Sequence, residues 1–295
     1  MKKCLIVVNS FKKEAPLLGK VILNFLNEEG IKASLYSYDG SVLYNKAKNL
    51  SENTADIDLN SVFEGNDFVV SLGGDGTVLF VSRICASLGI PVFPVNLGEF
   101  GFLAGVKKNE WKTELISFLN GKSSVAERSL VKAQVFRGNE KIFESVAMND
   151  IVISSAVSVH LINLKVSYKE LDLGNFKSDG LIIASATGST AYSTAAGGPI
   201  VDPSMDALIL TPVNSFSLSA RPLVLSPDGT IEITVEPSRV LLELVADGQI
   251  PFNLTAGDVI KLNISENKAR LVCSSKENFF LALQNKLNWS GGPNA

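Results

Sequence analysis

The stretch with the clearest chemical potential is Gly73-Gly74-Asp75-Gly76-Thr77, an acidic residue set among glycines between the apolar runs DFVVSL and TVLFVSRICASLG. Glycines let a backbone approach a ligand and expose its N–H groups, and the N-terminus of a following helix favours an anion such as phosphate. In an open α/β sheet ligands bind beyond the carboxyl ends of the strands, which is where this turn would stand. Gly73, Gly74, Gly76 and Thr77 are thus candidate phosphate-binding residues, with the Asp75 carboxylate at the rim of a phosphate-friendly site. The alternative is a tight turn in which Asp75 or Thr77 caps the helix. No lysine follows as in G-x-x-x-x-G-K-[ST], and the spacing is not G-x-G-x-x-G, so some other phosphate chemistry is indicated.

Three further stretches matter. In NLGEFGFLAG (96–105), Gly98 and Gly101 frame Phe100 and Phe102, and an aromatic between glycines can cover a planar ring or simply fill a core loop. In AMNDIVIS, Asn149 and Asp150 stand just before an apolar run, either as ligand-binding polar groups or as a turn or bulge. The segment 178–203, SDGLIIASATGSTAYSTAAGGPIVDP, offers Asp179, Thr187, Ser189, Thr190 and Tyr192 among small residues. It suits close backbone packing around a polar ligand, and as pure scaffold it would use hydroxyls oddly.

The elements that must position these residues divide the chain. KCLIVVN (3–9), IKASLYSY (31–38), DFVVSL (67–72) and IPVFPVN (90–96) are apolar strands. APLLGKVILNFLNEEG (15–30) and GTVLFVSRICASLG (76–89) have helical spacing and stop at glycine. Continuous apolar strands separated by helices predict an α/β domain with a parallel sheet covered on both faces. Near Gly121 the pattern becomes period-2: TIEITVE puts Ile231, Ile233 and Val235 on one face, and DVIKLNIS alternates likewise. A β-rich, sandwich-like antiparallel domain is predicted there, interrupted by a short helix in ATGSTAYSTAAGGP. KENFFLALQNKL predicts a carboxy-terminal helix, and NWSGGPNA a loose tail. The expected domains are 1–121 and 122–295, with the last helix packing back on the first. His160 falls in VSVHLINLKV, read as an alternating strand, where a structural or surface role is expected.

Composition excludes several function classes. Lys+Arg is 27 against 30 Asp+Glu, a net charge of −3, which leaves no basic excess for a nucleic-acid backbone. The 46% hydrophobic and 19% charged content is that of a globular chain. Cys4, Cys85 and Cys273 form neither a C-x-x-C pair nor a disulfide framework and read as reduced thiols of a cytoplasmic protein. The apolar run in MKKCLIVVNS is too short for a signal peptide, and no stretch reaches a membrane span, so no membrane partner is expected.

Taken together, GGDGT, NLGEFGFL, ND before a strand, the 178–203 segment and SFSLSARPLVL resemble the NAD kinase family in order and over almost the whole chain. GGDGT alone is similar to motifs of diacylglycerol and sphingosine kinases and of 6-phosphofructokinases; GSTAYSTAAGGP is what makes the resemblance specific. The resemblance implies transfer of the γ-phosphate of ATP to the 2′-hydroxyl of the adenosine ribose of NAD, giving NADP. Mg²⁺ would arrive with ATP on its phosphates, with no metal fixed by protein residues. It places Asp75 at the reacting hydroxyl, Phe102 beside the adenine, and Asn149 and Asp150 on the nicotinamide-side ribose. Gly76, Lys177, Asp179, Thr190, Ala191, Tyr192 and Ala195 would complete the NAD site. Many members carry His where this chain has Asp202 and Phe216, and Asn-Glu where it has Asn149-Asp150. A homo-oligomer, dimer or tetramer, is implied. The alternatives are a lipid kinase, which would leave GSTAYSTAAGGP unexplained, and a non-catalytic NAD-binding sensor, which would not need Asp75.

Overall fold

The computed structural model describes residues 1–39, 59–98, 101–157, 160–217, 219–273 and 276–287. Phe100 and the closing NWSGGPNA lie outside them. The described residues fall into two compact units, one reaching Glu127 and resuming at Lys268, the other running from Arg128 to Asn267.

The first unit opens with β1 (Lys3–Asn9), α1 (Ala15–Glu28), β2 (Lys32–Tyr38), α2 (Leu59–Phe63), β3 (Phe68–Gly73), α3 (Asp75–Leu88), β4 (Pro91–Asn96), β5 (Val106–Lys107), α4 (Trp111–Leu119) and β6 (Val125–Arg128). In α1, Pro16 sits in the first turn, where its missing N–H costs nothing, and Ala15, Gly19, Ile22 and Leu26 make the buried stripe. Gly19 permits the helix–sheet approach: a side chain there would meet Val8 at 2.7 Å. The α3 helix ends at Gly89, whose φ of +67° is open to glycine and costly to other residues.

The second unit holds β7 (Val131–Arg137), β8 (Glu140–Ala147), β9 (Asp150–Ser155), β10 (Ile162–Tyr168), β11 (Leu171–Ser178), β12 (Gly180–Ser185), a 3₁₀ turn at Thr187–Thr190, α5 (Tyr192–Ala195), β13 (Leu208–Val213), β14 (Leu223–Leu225), β15 (Ile231–Val235), β16 (Leu242–Ala246), β17 (Ile250–Leu254) and β18 (Val259–Ile264). The chain then returns to the first unit with β19 (Ala269–Val272) and α6 (Lys276–Leu287).

The first unit is built on a sheet ordered β2-β1-β3-β4-β19-β6, with β5 pairing β4; β1, β2, β3, β4, β5 and β19 pair in parallel. All six residues of β3 are buried, as a strand covered on both faces requires. The second unit contains two antiparallel sheets, β11-β10-β15-β18-β7-β8 and β14-β13-β12-β9-β16-β17. Val131, Ala133, Val135, Ile231 and Ile233 of one pack with Ile151, Ile153, Leu181 and Ile183 of the other in a single core, so the unit is a sandwich. On the outer face of β12, Ile182 and Ala184 pack with Ala186 and Val201, burying part of the 178–203 segment.

Two local expectations change. His160 precedes β10 and is exposed, so it is not a strand residue. The expected single helix in ATGSTAYSTAAGGP is a 3₁₀ turn and one turn of α-helix, separated at Ala191, whose φ of −101° and ψ of −129° are not helical. Among the described residues no helix is long and apolar enough to cross a membrane.

Candidate functional site

In the first unit, Asn9, Gly73 and Asn96 stand at the carboxyl ends of β1, β3 and β4, the edge where parallel sheets bind ligands. The turn from β3 into α3 places Asp75 in the first helical turn after Gly74. Asp75 does not cap its own helix. Its carboxylate accepts backbone N–H groups from Phe102 at 3.0 Å and from Leu103 and Ala104 at 3.3 Å each. Gly101 makes this possible, because any side chain there would run into the Asp75 carboxylate. GGDGT and the following Gly-Phe loop are thus one construction, anchored on the acid.

Thr77 is placed differently from the sequence expectation. It is 2% exposed; its N–H donates to the Gly74 carbonyl at 3.0 Å, and its hydroxyl oxygen accepts from the Asn9 amide at 2.9 Å. Thr77 therefore ties the first turn of α3 to the end of β1, while Gly74 is half-buried and Gly76 exposed. Phe102 is half-buried; its ring lies 6.3 Å from that of Phe279 on α6, with the Lys286 ammonium 5.5 Å from its centroid.

In the second unit a cavity of about 420 Å³ is lined by Asn149, Asp150, Val152, Ala191, Tyr192, Val245, Asp247 and Gly248. It gathers four of the residues expected in the NAD site. Gly188 is the reason the 3₁₀ turn can come so close: its backbone packs on the Asn149 carbonyl where a side chain would clash. The Ser185 hydroxyl fastens the same corner, donating to the Met148 carbonyl at 2.6 Å and accepting the Gly188 N–H at 3.1 Å. Many hydroxyls of the segment are scaffold after all. Ser189 bonds the backbone of Val201, Ser193 pairs with Thr211, and Thr190 and Thr194 donate to the carbonyls of Thr187 and Ser189. Ala195 is exposed on α5.

Asp247 is the residue that sequence reasoning missed. Asp247 and Gly248 have φ of +50° and +65°, forming the turn between β16 and β17 that Gln249 closes by donating to the Ala246 carbonyl at 2.9 Å. The Asp247 carboxylate accepts the N–H groups of Met148, Asn149 and Asp150 at 3.0, 2.8 and 3.2 Å. The Asp-Gly pair between alternating runs signals the turn; nothing in it names the partner strand. Asp150 is 5% exposed, and its carboxyl is pushed up to about 7, by burial first and then by the Asp247 charge, against a lowering from the Tyr192 N–H. Asp247→Ala strands three N–H groups and forces alanine into a left-handed turn. A loss of about 2–4 kcal/mol is expected, seen as a lower thermal midpoint. An unchanged midpoint would mean that water replaces the carboxylate without cost.

Lys177 and Asp179 are not brought to this cavity. Register runs from Ala184 opposite Asp150 to Gly180 opposite Ser154, so Asp179 lies beyond the other end of the β9–β12 ladder, roughly 15 Å away along the strands. There Asp179 accepts from the Asn214 amide at 3.0 Å, and the Lys177 carbonyl accepts the Phe216 N–H at 2.9 Å. Asp202 closes a turn by accepting from the Ser204 N–H at 2.8 Å and its hydroxyl at 2.7 Å.

Comparison with known proteins agrees with this architecture. The ATP-NAD kinase N-terminal domain matches residues 5–123 and the ATP-NAD kinase C-terminal domain residues 148–274. The chain is 44% identical over 292 residues to an NAD kinase of Treponema denticola, covering 99% of this chain and 98% of the relative. It is 37% identical to an NAD kinase of Treponema pallidum strain Nichols, covering 98% of this chain and 90% of that one. The crystal structure of an NAD kinase from Archaeoglobus fulgidus in complex with ATP superposes with a TM-score of 0.73 at 25% identity, over 98% of this chain and 99% of that one. A yeast NADH kinase complexed with NADH shares the fold, with a TM-score of 0.83 at 22% identity over 99% of this chain and 89% of its own. With both domains matched in order and relatives similar from end to end, the chain belongs to the NAD kinase family of phosphotransferases.

Proposed function

We propose that the chain transfers the γ-phosphate of ATP to the 2′-hydroxyl of the adenosine ribose of NAD, giving NADP and ADP. The observation that carries this reading is the Asp75 carboxylate, held by three N–H groups at the carboxyl end of β3 in a chain matched by both ATP-NAD kinase domains. Phosphoryl transfer asks the protein mainly to position groups and stabilise charge. Asp75 orients the ribose hydroxyl and takes its proton late, as the new O–P bond forms and the bond from phosphorus to the ADP oxygen breaks. The bonds from Leu103 and Ala104 go to one carboxylate oxygen and that from Phe102 to the other, which leaves one lone pair on the second oxygen for that hydroxyl. Phe102 lies beside the adenine. Gly73, Gly74 and Gly76 let the backbone meet the phosphates, and Thr77 holds the turn in shape from within.

Asn149, Asp150, Ala191 and Tyr192 bind NAD, with Asn149 and Asp150 on the nicotinamide-side ribose. A site that hydrogen-bonds hydroxyls rejects ligands lacking them. Asn149→Ala is expected to weaken NAD binding in calorimetry. Mg²⁺ would arrive on the donor's phosphates rather than on a set of protein side chains, as the family resemblance implies. When bound it would supply charge neutralisation for the transfer.

Cytoplasmic residence is supported by the free thiols of Cys4, Cys85 and Cys273, the state expected in a reducing compartment. A homo-oligomer is supported by the exposed Leu223 and Val224 on the edge strand β14 and the exposed Phe216. Light scattering on a size-exclusion column tests it. The reaction itself is tested by incubating the protein with NAD, ATP and Mg²⁺ and measuring NADP with an NADP-specific dehydrogenase. Absence of NADP despite NAD binding would favour a non-catalytic sensor.

A further inference from the structure

The glycine turn offers less to an anion than its sequence suggests. The Thr77 N–H donates to the Gly74 carbonyl at 3.0 Å and its hydroxyl is turned inward to Asn9, so Thr77 presents neither group to an anion. The remaining backbone N–H groups carry no formal charge, and cations suited to a polyphosphate stand farther along the same edge. Immediately beside the turn lies a cleft of about 320 Å³ lined by Asn96, Leu97, Gly98, Lys107, Lys108 and Asn109. It is continuous with GGDGT through the sheet: Gly73 is in register with Asn96, Asn96 with Lys107, and the Leu97 N–H donates to the Gly73 carbonyl at 2.9 Å.

We propose that this cleft seats the linear phosphate chain of the donor, with Lys107 and Lys108 gripping it and Lys12 closing its mouth; the proposal rests on the kinase reading above. Strand β5 is only two residues long, and its parallel pairing with β4 buries Val106 while sending Lys107 outward at the carboxyl edge. Lys12 reaches the same cleft, its ammonium standing 3.8 Å from where a Gly98 Cβ would lie. The Asn96 side chain accepts the Gly98 N–H at 2.9 Å beside the strand end. Lys107 pairs with Glu110 at 3.4 Å and Lys108 with Glu14. All four side chains are about half exposed or more, and such pairs contribute little, so each lysine can exchange its carboxylate for a phosphate oxygen. Two cations flanking one cleft suit a chain of several negative charges better than a single phosphate.

The test is the double variant Lys107→Met, Lys108→Met, with Lys20→Met, an exposed lysine on α1, as the charge control. The KM for ATP is expected to rise at least ten-fold while the KM for NAD stays within two-fold, and added salt should raise the ATP KM of the wild type more than that of the double variant. Running the same comparison with inorganic polyphosphate as donor tells which source of phosphate chain the cleft serves; a rise with either donor supports the assignment. Unchanged KM values for both donors would overturn it, with the kinase reading intact. Calorimetric titration of magnesium tripolyphosphate gives a readout independent of turnover. Wild-type binding that falls ten-fold or more in the double variant supports the cleft even if no NADP forms. No binding to the wild type, or equal binding to both proteins, removes it.

Discussion

Asp75→Asn is expected to lower turnover by roughly a thousand-fold or more, the scale of a positioned general base acting with an oriented nucleophile. The structure adds a second consequence. The carboxylate accepts three N–H groups, and an asparagine amide in its place must turn an NH₂ toward at least one of them. If the Phe102 N–H is the one left facing it, the loop from Gly101 to Ala104 loosens at the residue assigned to the adenine. NAD binding separates the two effects. Binding within a few-fold of wild type, together with lost NADP formation, places the defect in the chemical step. Lost binding would make Asp75 chiefly a loop anchor, and near-normal turnover would remove the base role. Gly101→Ala reports on the anchor alone, since its methyl group meets the carboxylate directly; a large fall in kcat/KM is expected with Asp75 unchanged.

Asp150→Asn is expected to stabilise the fold at pH 8 while weakening NAD binding by ten-fold or more. The carboxyl stands at about 7 in the folded protein against an ordinary 3.8, because burial and the Asp247 charge disfavour its ionised form. The folded state therefore holds its proton more tightly than the unfolded state. Stability falls as pH rises from about 4 to about 7, and the cost is complete above 7; its size is of the order of 4 kcal/mol. An amide has no such ionisation. It keeps an oxygen for the Tyr192 N–H and can turn its NH₂ toward the Asp247 carboxylate. Thermal midpoints of the two proteins should converge near pH 4 and separate toward pH 8, with the variant higher. Equal midpoints at pH 8 would show that Asp150 carries no burial cost. A carboxylate kept at a place where it destabilises the fold is a common mark of a ligand site.

Much of the first unit was legible because its signals are local. KCLIVVN is β1 from end to end, and KENFFLALQNKL is α6 from end to end. Apolar runs between glycine-stopped helical stripes dictate buried parallel strands, whatever else the chain does. The alternation of Ile231, Ile233 and Val235 likewise dictated a face, and all three are buried. His160 failed the same rule because a period-2 pattern does not mark where pairing begins. Asp75 and Asn149-Asp150 could be singled out by residue type beside glycines and strand ends. What holds them could not: the acceptors and donors are separated by 27 to 29 residues at Asp75 and by 97 to 99 at Asp247.

The sequence by itself determined the type of the long periodic elements, the class of each half and the residues suited to phosphate and ribose chemistry, because these follow from side-chain period and from backbone freedom at glycine. Only the tertiary structure decided that β19 returns to the first sheet. It alone turned Thr77 inward, set Asp179 at the far end of the ladder from Asp150, and brought Asp247 under the Asn149-Asp150 backbone. Those outcomes depend on strand register and on which distant N–H groups lack a partner. They are settled by pairing across the fold, a quantity that no local window of residues contains.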